Sequence, residues 1–259
     1  LADARRNLGD VFYQKGLYAS AREQYDKAFQ LDPRNPWPLA MSGYCLFLLG
    51  DKTGAGAAFE KVLATWPTNV KALAGLAAVR CEEGKTDEAL SLATKAVEIA
   101  PQNPDALNNL GIIYGDAGDF ENSYKYLKRL VDLGNHELYS LANLGVAAVR
   151  TGRWKEARDA FGAAVALTPK DVQSQAGLGL AYAQLGEKKA AEQALAAAEA
   201  LSADYPVALY ARVVLAEKDG DKTRRDELVQ RLLAVKLQWG PAAEKADPLI
   251  KYAFEKVSE

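Results

Sequence analysis

The sequence predicts an all-α fold of seven helix pairs followed by one further helix, and three periodic columns of residues predict it. Gly16, Gly50, Gly84, Gly118, Gly152, Gly186 and Gly220 recur every 34 residues without insertion or deletion. A column of small residues, Gly9, Gly43, Ala77, Gly111, Gly145 and Gly179, holds the same phase. So do Ala21, Ala55, Ala89, Ser123, Ala157 and Ala191 and, more sparsely, Pro33, Pro67, Pro101 and Pro169. Chance does not hold one phase across seven periods, and self-similarity at this length marks a repeat architecture.

The units fall at residues 2–35, 36–69, 70–103, 104–137, 138–171, 172–205 and 206–239. Each has the physics of two antiparallel helices. In the fourth, Leu107, Leu110, Gly111 and Tyr114 form an apolar stripe at helical spacing. Gly118 ends that helix, because glycine takes the left-handed C-cap conformation without steric cost. Tyr124, Leu127, Leu130 and Val131 mark the second helix. A proline then blocks continuation and turns the chain into the next unit, except where Asn135, Ala203 and Leu237 replace it. The small columns let the two helices of a pair approach closely.

Both ends depart from the pattern. Arg5 stands where an apolar residue belongs, which predicts an exposed first helix or a severed neighbour. The seventh unit carries Arg212, Val213 and Arg225 at positions that are apolar or small elsewhere, as suits a terminal repeat with one wet face. Residues 240–259 read as a linker, opening at Trp239-Gly240-Pro241, and a capping helix. Asp247-Pro248 supplies an N-cap and a proline at the first helical position. Leu249, Ile250, Ala253, Phe254 and Val257 then make an apolar stripe, so a helix over 248–257 is expected to cover the last unit.

These residues resemble the tetratricopeptide repeat, whose pattern is W-x2-L-G-x2-Y, then A-x3-F, then P. Leu8-Gly9, Phe12, Ala21, Tyr25 and Pro33 match it in the first unit. Gly43, Ala55, Phe59 and Pro67 do so in the second, and Leu144-Gly145, Ala157, Phe161 and Pro169 in the fifth. The family tryptophan is mostly replaced by leucine, at Leu39, Leu73, Leu107, Leu141 and Leu209. The resemblance implies a right-handed α-solenoid whose first helices line a concave groove.

On that groove the second unit would present Trp37, Ala40, Met41, Tyr44, Phe47 and Leu48, a large apolar set for a surface. Trp37, Met41, Tyr44 and Phe47 are the expected apolar anchors. Asn109 and Asn143 share one repeat position, matched by Asn7, and resemble the asparagine ladder of the family's nucleocytoplasmic sugar transferase. An amide can grip an extended peptide backbone through one donor and one acceptor. Met41, Gly75, Gly177 and Ala211 interrupt that ladder. Asn108, Asn109, Tyr139, Asn143 and Arg150 are the expected polar grips. The chaperone-tail clamp of the family is mostly missing, since Arg6 and Asp10, Met41, then Lys71 and Gly75 occupy its places.

Other chemistry is scarce. Thirty-two Lys and Arg against 34 Asp and Glu, net charge −2, provide no electrostatic reason to coat nucleic acid. No uncharged stretch reaches the roughly 18 residues of a membrane span. One histidine and two cysteines are a poor inventory for a metal site, and no cofactor is expected. His136 reads as a residue of a solvated inter-repeat loop. Cys45 and Cys81 would need Cα atoms within about 7 Å for a disulfide, and free thiols are expected instead. No glycine loop precedes a Lys-Ser/Thr pair, and no catalytic residue is assigned. The polar, periodic start without an initiator methionine or signal pattern reads as an expressed fragment or a mature form, with the compartment open between cytoplasm and periplasm.

The expected function is therefore a non-catalytic scaffold that binds a peptide or an amphipathic helix in its groove. The resemblance leaves two alternatives: a self-associating or assembly subunit of an envelope, secretion or pilus complex, and the recognition domain of a larger enzyme such as a sugar transferase.

Overall fold

Seven successive helix pairs and one final helix make up the computed structural model, which describes residues 1–258, with side chains described for 1–238 and 247–257. The pairs are α1 (Ala2–Gln14) with α2 (Tyr18–Leu31), α3 (Trp37–Leu48) with α4 (Lys52–Thr65), and α5 (Val70–Glu82) with α6 (Thr86–Ile99). They continue with α7 (Pro104–Asp116) and α8 (Phe120–Asp132), α9 (Leu138–Arg150) and α10 (Trp154–Leu167), and α11 (Val172–Leu185) and α12 (Lys188–Leu201). Then come α13 (Pro206–Lys218) and α14 (Lys222–Ala246), and α15 (Pro248–Ser258) follows. Among the described residues there is no strand.

Local chemistry sets the helix ends. All seven register glycines lie in the left-handed region, with φ from 70° at Gly152 to 83° at Gly50 and Gly118. A Cβ added at any of them would touch nothing, so the requirement is one of backbone conformation and not of space. Asn69, Asn103 and Asp171 open α5, α7 and α11 by accepting from the amides of Ala72, Ala106 and Ser174 at 2.9, 3.0 and 2.9 Å. Each satisfies an orphan donor of the first turn.

The turn lacking its proline is built differently. Gly134 has φ 92°, its amide donates to Val131 O at 2.9 Å, and Asn135 N donates to Leu130 O. A second left-handed glycine thus ends α8 where Asn135 leaves the chain without a prolyl stop.

The helices form two compact units, Leu1–Tyr126 and Leu127–Glu259, the division falling inside α8. In the first unit each helix packs on its neighbours in sequence from α1 to α7, and the first helices α3, α5 and α7 also pack side by side. Tyr25 and Phe59 are fully buried. The Phe59 ring fills the space over two glycines: a Cβ on Gly43 would lie 2.8 Å from it, and one on Gly75 2.3 Å. Arg5 is exposed, as expected, and its guanidinium donates to Gln24 Oε1 at 2.8 Å.

In the second unit Phe161 takes the same place between Gly145 and Gly177, and α9, α11 and α13 pack side by side. Within the degenerate repeat, Arg212 holds Glu199 through Nε and Nη2 at 2.8 and 2.9 Å, and Val213 is buried.

The backbone of α14 is helical to Ala246, so the linker expected from residue 240 is replaced by helix, and the break falls at Asp247. That residue accepts from Leu249 N at 2.8 Å and Ile250 N at 3.4 Å, which starts a new helix where Pro248 disfavours continuation of the old one. The side chains of Trp239 and Pro241, where the linker is expected to open, lie outside the described residues. The final helix packs on α13 and α14 and reaches α9, a longer reach than covering the last repeat requires.

Candidate partner-binding faces

Each unit presents one face built from first helices. In the first unit it is made by α1, α3, α5 and α7. The apolar set expected there is more deeply packed than a free surface. Met41 is a core residue, 8% exposed, and clusters with Ala21, Tyr25 and Cys45. Ala40 is buried too. Trp37 is half-buried against Tyr25, edge to face with centroids 5.6 Å apart, with the Arg6 guanidinium 5.9 Å above it. Tyr44 packs edge-on to Phe59 at 5.1 Å, and its hydroxyl donates to Lys71 O at 3.1 Å. Phe47 is half-buried against the Leu39–Phe59 cluster. Tyr25 of the preceding second helix packs on Trp37 and Met41, and Phe59 of the same repeat's second helix packs on Tyr44.

The amides have separate fates. Asn109 Nδ2 donates to Ala74 O at 3.0 Å, so it ties its own helix to the preceding repeat. Asn108 Oδ1 is buried without a hydrogen-bond partner, a costly state for an acceptor. The interruption of the ladder at Gly75 and Gly177 has a steric reason, since the rings of Phe59 and Phe161 fill those positions. Asn109 follows Ala93, the small residue at the ring position of its preceding repeat.

Other groups on this face pair across repeats. Lys71 Nζ meets Asp105 Oδ2 at 2.8 Å and lies 5.2 Å over the Tyr44 ring. Cys81 Sγ donates to Asp116 Oδ2 at 3.3 Å. Burial, then the Asp116 charge, pushes the Cys81 thiol up to about 12, and burial pushes Cys45 up to about 12. Both cysteines are free, as expected. Leu48 and Ile112 stay partly open to solvent.

The second unit's face, made by α9, α11 and α13, carries α15. Arg150 Nη1 meets Glu255 Oε2 at 2.5 Å, and its guanidinium lies 5.4 Å over the Tyr252 ring. Tyr252 in turn packs edge-on to Tyr210, with centroids 5.8 Å apart. Gln173 Nε2 donates to Asp247 Oδ1 at 3.0 Å, and the Tyr205 hydroxyl donates to Asp247 Oδ2. Burial and then the Asp247 charge hold the Tyr205 phenol well above its ordinary value. Arg150, expected as a grip for a partner, is thus engaged by the chain's own last helix. Asn143 is half-buried and Tyr139 is 78% exposed. Sequence reasoning missed Gln173, Tyr210, Tyr252 and Glu255; the stripe in α15 was the available signal, without its destination.

Elsewhere, His136 is exposed and lines a cleft of about 450 Å³ with Leu141, Leu144, Ala160 and Leu167. Among the described residues no three His, Cys, Asp or Glu could hold a metal ion together, and no helix is long and apolar enough to cross a membrane.

Models of the tetratricopeptide repeat match residues 9–41, 41–69, 80–144 and 143–206. The chain belongs to the tetratricopeptide repeat family. Folds of this family typically serve as non-catalytic scaffolds for protein or peptide partners. A curated relative, the CTR9 homolog of Arabidopsis thaliana, is 35% identical over 82 residues, which span 32% of this chain and 8% of that protein. Among solved structures, YrrB, described as a tetratricopeptide protein with an unusual peptide-binding site, is 22% identical with a TM-score of 0.58. That match covers 72% of this chain and 96% of YrrB. A tetratricopeptide protein from Parabacteroides merdae is 17% identical with a TM-score of 0.56, covering 98% of each chain.

Proposed function

We propose that this tetratricopeptide protein is a non-catalytic scaffold that binds a peptide or an amphipathic helix on the first-helix face of Leu1–Tyr126. The observation that carries the reading is Asn108 Oδ1, buried without a partner on α7, one turn before the partly exposed Ile112. An acceptor in that state is satisfied by an incoming backbone N–H once the Asn108 side chain turns outward, and Ile112 offers apolar contact one turn away. Half-buried Trp37, Tyr44 and Phe47 are anchors of the kind that concentrate binding energy. The same fold carries a peptide-binding site in YrrB, which supports this use of it.

Panning a displayed library of random peptides on the full chain is the test. Peptides that enrich are expected to lose roughly tenfold or more in affinity for Trp37→Ala or Phe47→Ala, with the helical circular dichroism retained. Peptides that bind those variants and Asn108→Leu as tightly as the parent chain would remove this face from consideration.

A further inference from the structure

A second face, in Leu127–Glu259, shows its own recognition chemistry because α15 already lies on it. Leu249, Ala253 and Phe254 are fully buried and Ile250 nearly so, an apolar stripe on one side of an amphipathic helix. Pro248, Lys251 and Lys256 on the other side are exposed. On the helices α9, α11 and α13 that make this face, Ala142, Ala176 and Ala211 are buried small residues.

Polar contacts fix the register at both ends. Asp247 is held by Gln173 and Tyr205 at the start, and Glu255 by Arg150 two helical turns later. Arg150 and Glu255 are 105 residues apart in sequence. An ion pair of this kind, partly withdrawn from water, adds little net stability but selects one alignment. The connection to α14 is the single residue Asp247. An 11-residue helix is marginal by itself in water, so α15 keeps its helicity only while docked, and such elements open below the global unfolding free energy.

We propose that the face of α9, α11 and α13 is a binding site for an amphipathic helix of a partner protein, closed in this chain by its own α15. The proposal rests on the scaffold reading above but concerns a different face. The partner helix would carry the face that α15 shows: two adjacent large aliphatics, a small residue and a phenylalanine one turn later, and then a carboxylate for Arg150. Such a helix gains the site only by displacing α15, so occupancy depends on the competition between the two.

Two measurements on the full chain test this. In native-state hydrogen exchange, the amides of residues 249–257 are expected to exchange at least tenfold faster than those at the centre of α13. Exchange of both only together, through unfolding of the whole unit, would make α15 part of the core and overturn the proposal. The second measurement uses a fluorescein-labelled peptide of residues 247–258 as probe. It is expected to bind the parent chain weakly and the Phe254→Ala chain at least tenfold more tightly. Adding Arg150→Glu should remove that gain, and a probe carrying Glu255→Arg should restore it. A folded Phe254→Ala chain with no gain in binding overturns the proposal. If Phe254→Ala does not fold, Glu255→Arg, at a half-exposed position, replaces it with the same expectation. Failure of library peptides on the first unit leaves both readouts intact, so the two readings fail separately.

Discussion

A Cβ on Gly177 would lie 2.6 Å from Cε2 of Phe161, a residue of the preceding repeat. The same ring crowds Gly145 at 2.7 Å, so one phenylalanine stands against two bare backbones. Phe59 repeats the arrangement with Gly43 and Gly75. Gly75 and Gly177 are therefore the counterparts of a ring in the second helix of the preceding repeat, and Gly43 and Gly145 of the same rings within their own repeat.

Gly177→Ala is expected to destabilise the protein by about 1–3 kcal/mol through overpacking. Combined with Phe161→Leu it should cost less than the two single changes added together, since the smaller side chain frees the space. Urea unfolding of the four chains measures the coupling, and strict additivity would refute the pairing.

Glycines elsewhere should respond with opposite signs. Gly84 has φ 77°, and Gly84→Ala is expected to cost about 1–2 kcal/mol, the strain of a left-handed residue carrying a Cβ. Gly56 lies inside α4, where a new Cβ would meet Val79 Cγ1 at an ordinary 3.6 Å. Gly56→Ala should therefore stabilise by about 0.5–1 kcal/mol. Thermal melts of the two variants, displaced in opposite directions from the parent, are the check.

The two neighbouring asparagines of α7 should differ as well. Asn109→Ala loses the bond to Ala74 O and is expected to cost about 1 kcal/mol. Asn108→Leu replaces a buried acceptor that has no partner and should be neutral or stabilising. A larger loss at Asn108 than at Asn109, seen by urea unfolding without ligand, would contradict the assignment.

Alkali should weaken the fold. Burial raises Cys45 and Cys81 from 9.0 and Tyr13 from 10.0, each to about 12. Between these limits the folded chain keeps protons that the unfolded chain has lost. Stability from these groups is thus complete below about pH 9 and falls as pH rises toward 12. Urea midpoints at pH 8, 9.5 and 10.5 should decline in order, and Cys81→Ala should flatten the decline in part. A constant midpoint would show that the thiols and phenol are not held neutral.

Legibility in the sequence follows the range of the physics involved. Gly16 through Gly220 announced the helix ends because a left-handed φ is a property of one residue, and Asn69, Asn103 and Asp171 capped helices across three. Asp247-Pro248 announced the start of α15 for the same reason. Gly134 was missed as a stop because it stands outside the register, although its conformation is equally local. The candidate face was read less well. Met41 looked like an exposed anchor because its repeat alone cannot show Tyr25 and Cys45 closing over it. Asn109 looked like a free grip because the carbonyl it reaches belongs to the previous repeat.

The sequence by itself determined the 34-residue period, the alternation of helix and turn, and the family, all of which arise from backbone conformation and side-chain periodicity within one unit. Only the tertiary structure decided which side chains of the first helices stay open to solvent, which are filled from behind by a ring, and that α15 lies on Arg150 and Tyr210. Those outcomes depend on contacts between residues one repeat or 105 positions apart, and burial and pairing at that distance follow from packing, which no local pattern records.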